Sequence, residues 1–152
     1  MTDVALSALL TALGSQMGRR LEVACASPDQ LEVIVTPVEP RDLIVLSGPE
    51  VFALCDILAS GAARLGWEDK YRRLLTTAFY WQCFRPVRAS ALRVSAQVQA
   101  RGSRLINVKL VLEALGTPYG PCAEANVTIY ARPAKASRRT TEVLDETMFV
   151  DA

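Results

Sequence analysis

The apolar positions at the start of the chain are Val4, Ala5, Leu6, Ala8, Leu9, Leu10 and Leu13, the spacing of a short amphipathic helix. Thr2 or Asp3 can cap its start and Gly14 can stop it. The period then changes. LEVACAS alternates weakly and QLEVIVTP follows a Ser27-Pro28-Asp29 turn, which together predict a β-hairpin. A Pro-bounded connection, VEPRDLIVLSGP, leads to a second helix from about Pro49 to Leu65. Ser47 is its cap, Pro49 lies in its first turn, Glu50 sits near the positive end of its dipole, and Gly66 closes it. Four further segments, LLTTAFYWQCF, SALRVSAQVQA, LINVKLVLEAL and CAEANVTIYA, are rich in strand formers and bounded by turn residues, which predicts long antiparallel strands. After Pro133 the periodicity is lost. Residues 1–133 therefore read as a single domain, and 134–152 as a polar, mobile tail in which Met148-Phe149-Val150 is the segment able to dock.

The order of elements predicts an α+β fold in which a curved antiparallel sheet wraps one long, almost wholly apolar helix, with a short N-terminal helix beside it. Val51, Leu54, Cys55, Leu58 and Leu65 form the bulky stripe expected to pack on the sheet. The opposite stripe holds Phe52, Ala53, Ala59, Ser60 and Ala63 around Asp56, the one ionisable group between Glu50 and Arg64. Burying an unpaired carboxylate costs several kcal/mol, so Asp56 needs a partner or a chemical task. A structural acid bonded to the backbone or an arginine, and a functional acid, are both consistent with this position.

Composition narrows the chemistry. The charges nearly balance, 17 basic against 16 acidic, and there is no histidine. That excludes Ser-His-Asp and Cys-His catalysis, histidine-containing zinc sites, and hydratases that use an imidazole base. Cys25, Cys55, Cys83 and Cys122 form no C-x-x-C pair and have apolar neighbours, as expected of buried, reduced, structural thiols. No metal-ligand spacing, GxGxxG or P-loop occurs, and no basic-aromatic interleaving suggests nucleic acid. The absence of an eighteen-residue apolar run or a basic leader leaves no membrane span and a cytoplasmic address as the expectation.

Two stretches in register are similar to the hot-dog-fold acyl-CoA thioesterases of the phenylacetate-degradation (PaaI-like) type. Ser47-Gly48-Pro49, Glu50 to Ala53 and Leu54-Cys55-Asp56 have the layout of that family's His-Gly-Gly, four residues, Leu-x-Asp signature. TTAFYWQCFRP resembles the family strand that ends in Phe-Leu-Arg-Pro, and ANVTIYARP falls where the family has its closing strand. The likeness runs over about residues 15–133. Ser47 replaces the signature histidine, Pro49 replaces the second glycine, and Arg41 falls where many members carry an asparagine; a Ser-Gly-Pro variant with an upstream arginine resembles a branch of the family.

The resemblance implies thioester hydrolysis without a cofactor or metal, at the interface of a homodimer or dimer of dimers. Asp56 is then the general base or the nucleophile, Gly48 the oxyanion donor, and Ser47 the hydroxyl left in the histidine's place. Arg41, Phe52, Thr77 and Tyr80 are the expected substrate contacts, with Phe79, Trp81 and Trp67 as further candidates for shaping a pocket. Thr76 and Thr77 read either as plain strand formers or as donors to a bound water. A coenzyme A ligand needs cations near the tunnel mouth, for which Arg85, Arg88, Arg101 and Arg104 at strand ends or turns are the candidates along one rim. The expected partners are an acyl-CoA or other acyl thioester and a second copy of the chain. The alternative is a non-catalytic hot-dog module that binds acyl-CoA or CoA, or acts as an assembly partner.

Overall fold

The computed structural model describes residues 3–134, with side chains from residue 5 onward; Thr2 and the tail, including Met148-Phe149-Val150, lie outside them, and Asp3 is the first residue of the first helix. The chain begins with α1 (Asp3–Met17) and then forms the expected hairpin, β1 (Arg19–Ser27) and β2 (Gln30–Pro37), which turns at Asp29 with φ of 67°. β2 shows the alternation that makes a strand two-faced. Leu31, Val33 and Val35 are fully buried, while Glu32, Ile34 and Thr36 lie on the other face.

α1 does not stop at Gly14. It runs one turn further and ends before Gly18, whose φ of 65° is the left-handed conformation that terminates helices. Gly14 serves a different purpose. A Cβ there would lie 2.7 Å from the carbonyl oxygen of Arg19, so only glycine lets α1 approach β1 this closely.

The connection after β2 contains a two-residue strand, β3 (Ile44–Val45), and leads into α2 (Gly48–Arg64). β4 (Tyr71–Cys83) follows, then β5 (Arg88–Ala89), which pairs with β3. β6 (Leu92–Arg101), β7 (Leu105–Ala114) and β8 (Pro121–Pro133) complete the chain as an antiparallel meander. The strand order in the main sheet is β1-β2-β6-β7-β8-β4, so β4 closes one edge by pairing with β8 along its whole length.

The sheet wraps α2, as expected. Val51, Leu54, Cys55 and Leu58 of the helix are buried against the inward residues of β2, β6, β7 and β8. Ala59, Ala62 and Ala63 are fully buried too, which places Ala59 and Ala63 in the core rather than on the open stripe, and β8, which α2 also contacts, buries Ala123, Ala125 and Ala131. Small residues on both sides let helix and sheet pack closely. The opposite side of α2 is less covered than its apolar sequence suggests. Phe52 is 45% exposed, and Ala53, Asp56, Ile57 and Ser60 are only half-buried, because the sheet ends at β4 before it encloses that face.

Candidate active site

The start of α2 is built as a capping box. Ser47 has extended backbone angles, its Oγ accepts from the Glu50 amide at 3.4 Å, and its own amide donates to Glu50 Oε1 at 3.1 Å. The Ser47 hydroxyl also donates to Glu50 Oε1 at 2.9 Å. Both functions of the hydroxyl are thereby directed at the helix end. Val51 N–H bonds the Ser47 carbonyl at 3.0 Å, and Pro49 has no N–H to offer. What is left is the Gly48 amide, which has no acceptor among the described residues and sits on an exposed residue beside the Trp81 ring. The positive end of the helix dipole adds to its attraction for a developing negative charge.

Two turns further along α2, Asp56 is half-buried. Its Oδ1 accepts a hydrogen bond from the Thr76 hydroxyl of β4. A register shift between Thr76 and Ala78 in the pairing with β8 leaves Thr77 as a bulge, and the local bend it introduces lies where β4 presents Thr76 to the helix. Thr77 donates instead to the Thr128 carbonyl at 3.2 Å, and its side chain is not joined to Asp56. Of the two threonines, Thr76 is therefore the one that holds the carboxylate.

Beside this pair, Phe52 and Phe79 meet edge to face with ring centroids 4.7 Å apart. Trp81 is on the same strand face as Phe79, near Gly48. Tyr80 alternates to the opposite face and is 64% exposed. Arg41 is exposed in the connection that precedes β3.

The four arginines expected on one rim are split between the two ends of the molecule. Arg85 and Arg88 lie at the Gly48 end, where Leu46 bonds the Val87 carbonyl and Arg88 pairs with Val45; the Arg85 guanidinium bonds the Tyr119 carbonyl and lies 5.5 Å from that ring. Arg101 is at the other end of α2, about 24 Å away along the helix. It donates to the Ala63 carbonyl at 3.0 Å and the Tyr71 hydroxyl at 2.6 Å, pairs with Asp29 at 2.5 Å, and stacks 4.5 Å from the Trp67 ring. Trp67 in turn donates to Asp29 at 3.1 Å. Arg101 and Trp67 thus form a clasp on the last turn of α2 rather than part of a substrate rim or pocket; Arg104 lies in the β6–β7 turn at that same end. The strand lengths predicted which arginines reach strand ends, but not which end each strand points to.

Cys55, next to Asp56, is buried and its thiol is pushed up to about 12, first by burial and then by the neighbouring carboxylate. It is an inert core residue at neutral pH. Cys122 is also buried, and burial raises its thiol. Cys83, by contrast, is exposed and Cys25 half-buried, so the expectation of four buried thiols holds for two of them. Among the described residues no cluster of three or more cysteine and carboxylate groups could hold a metal ion, and no helix is long and apolar enough to cross a membrane.

No family model matches the chain, and neither does any curated protein. Solved structures do match in fold. A thioesterase from Haemophilus influenzae superposes with a TM-score of 0.68 at 21% identity, over 91% of this chain and 95% of its own. A mutant thioesterase from Pseudomonas aeruginosa gives 0.66 at 19% identity, over 88% and 96%. A thioesterase family protein from Silicibacter pomeroyi gives 0.65 at 16% identity, over 86% and 98%. The chain shares the hot-dog fold of these proteins, a helix wrapped by a curved antiparallel sheet.

Proposed function

We propose that this protein hydrolyses acyl thioesters, acyl-CoA in particular, as a Ser-Gly-Pro variant of the PaaI-like thioesterases. The thioesterases among its structural neighbours support the class of reaction. The observation that carries the reading is on α2 itself: a free Gly48 N–H at the start and a half-exposed carboxylate, Asp56, held by Thr76. The N–H polarises the thioester carbonyl and receives the oxyanion. The carboxylate activates a water or attacks the carbonyl carbon, and the thiolate leaves without needing a strong acid.

These two groups are eight residues apart, a rise of about 12 Å along one helix. An oxyanion donor and a base each act within about 3 Å of the reacting group. One helix cannot bring both to the same carbonyl, so Asp56 of one copy works with Gly48 of a second. The unpaired outer edge of β4 and the exposed Phe52 beside Asp56 are the surfaces such a dimer covers. Phe52 and Phe79 then line the acyl side, while Arg85 and Arg88, at the Gly48 end, face the phosphates of the coenzyme. Ser47 serves by holding the helix start in place, and Arg41, Thr77 and Tyr80 lie on surfaces that contribute to the site only in the dimer.

A panel of medium-chain and aromatic acyl-CoA thioesters assayed with wild type and Asp56→Ala tests the reading. Turnover abolished by the substitution is the expected result; equal rates in the two proteins reject it. Calorimetric binding of acyl-CoA with no turnover would establish the non-catalytic module instead. Light scattering is expected to show a dimer or dimer of dimers, and a monomer at micromolar concentration rejects the shared site.

A further inference from the structure

Three contacts fix how α2 lies against β4. Trp81 stands beside Gly48, with Cζ2 4.0 Å from where a Cβ would be. Phe79 meets Phe52 edge to face with centroids 4.7 Å apart, and Thr76 donates to Asp56. Residues 48, 52 and 56 of the helix are thus matched in order by 81, 79 and 76 of the strand, so the two elements run antiparallel along the face that holds the site.

Phe52 is midway between Gly48 and Asp56, about 6 Å along the helix from each. In a two-fold dimer that position has a special place. If Gly48 of one copy meets Asp56 of the other, the reverse pairing holds as well. Two helices satisfy both pairings only when they run antiparallel, with the two-fold axis passing their common midpoint, residue 52. β4 gives the same midpoint, because Thr76 and Trp81, which mark the two ends of the site, are centred between Ala78 and Phe79. The Phe52 ring, 45% exposed in a single copy, is the large apolar group on the helix face that this axis crosses.

We propose that the Phe52 rings of the two copies meet at this axis and, backed by Phe79, form an end wall shared by both acyl sites, which restricts the enzyme to short acyl thioesters. The assignment rests on the shared site proposed above. Arg85 and Arg88 follow β4 beyond Trp81, past the Gly48 end. A coenzyme held there leaves the carbonyl outward, and the acyl chain on its other side points inward to the axis. An extended chain advances about 1.2 Å per bond, so a run of about 6 Å holds about five bonds, the length of a hexanoyl group. Longer chains meet aromatic rings that are packed against each other and have no room to give.

Initial rates with acetyl-, butanoyl-, hexanoyl-, octanoyl- and decanoyl-CoA test this, read as the ratio of kcat/KM for decanoyl to that for hexanoyl. The wild-type ratio is expected at or below about 0.1. Phe52→Ala is expected to raise it about tenfold or more. Phe52→Leu, which keeps an apolar contact at the axis, is expected to lie between, and Phe52→Trp to move the drop to between butanoyl and hexanoyl. With Phe52 replaced by photoreactive benzoylphenylalanine, irradiation is expected to cross-link the two copies. A wild-type ratio near one, a ratio unmoved by both Phe52→Ala and Phe52→Leu, or cross-links confined within single chains would each overturn the wall. All three leave hydrolysis through Asp56 standing, whereas wild-type rates in Asp56→Ala reject the hydrolytic reading itself.

Discussion

Thr76 on β4 donates its hydroxyl hydrogen to Oδ1 of Asp56 on α2. The bond crosses from an edge strand to the central helix, so the carboxylate is oriented by the strand whose far edge is open. A hydrogen bond to a charged group contributes about 1.5–3 kcal/mol. Thr76→Val is expected to lower kcat for thioester hydrolysis about ten- to hundredfold with little change in KM, and Thr76→Ser to restore most of it. Thr77→Val, whose hydroxyl bonds the Thr128 carbonyl rather than Asp56, is expected to leave kcat within about twofold. Steady-state kinetics on the three variants decides between the two threonines.

The 12 Å rise between Gly48 and Asp56 leads to a complementation experiment. Gly48→Pro deletes the free N–H, and proline is tolerated in a first helical turn. Gly48→Pro and Asp56→Ala homodimers are each expected to be inactive. Heterodimers formed by co-expression pair an intact Asp56 with an intact Gly48 at one of their two sites, and are expected to recover about half the wild-type rate per dimer. A site built within one chain would give no recovery.

Arg101 is 12% exposed and engages Asp29, Ala63, Tyr71 and Trp67 together. Arg101→Met is expected to destabilise the fold by about 2–3 kcal/mol, read as a lower urea midpoint with an unchanged slope. KM for acyl-CoA is expected not to move, because the clasp is at the wrong end of α2; a rise in KM would restore Arg101 to the substrate rim.

Cys55 gives the fold a dependence on alkaline pH. Its thiol ionises near 9 when free and at about 12 when folded. The raised value means that its contribution is fully present below pH 9 and is lost as pH rises towards 12. A three-unit difference corresponds to at most about 4 kcal/mol. Urea midpoints measured from pH 8 to 11 are expected to fall more steeply for wild type than for Cys55→Ala, which has no thiol to ionise.

Much of this molecule can be read from its residues, and the failures have physical causes. The β2 alternation, the Ser47 cap and the Gly66 stop are local patterns, and each element appeared where its pattern stood. Gly14 was misread because a glycine inside a helix and one that ends it look alike in sequence; the difference is the Arg19 carbonyl, which no local pattern reveals. The lone charge on α2 marked Asp56, but its partner depended on a bulge in β4 that decides which of two adjacent threonines faces inward. The arginines were separated by strand direction, a property of topology rather than of spacing.

The close seat of α1 on β1 also bears on how this sheet can grow. A two-edged sheet in which both edges are open can add copies without limit. Here α1, brought in by Gly14, stands against β1, whereas the outer edge of β4 has no strand beside it among the described residues. In the proposed dimer two copies meet β4 to β4, and that pairing uses the edge up. In that dimer a bare α-carbon at residue 14 keeps the far edge guarded by its helix, and a side chain placed there is expected to push the helix off its strand and favour chains of molecules over pairs.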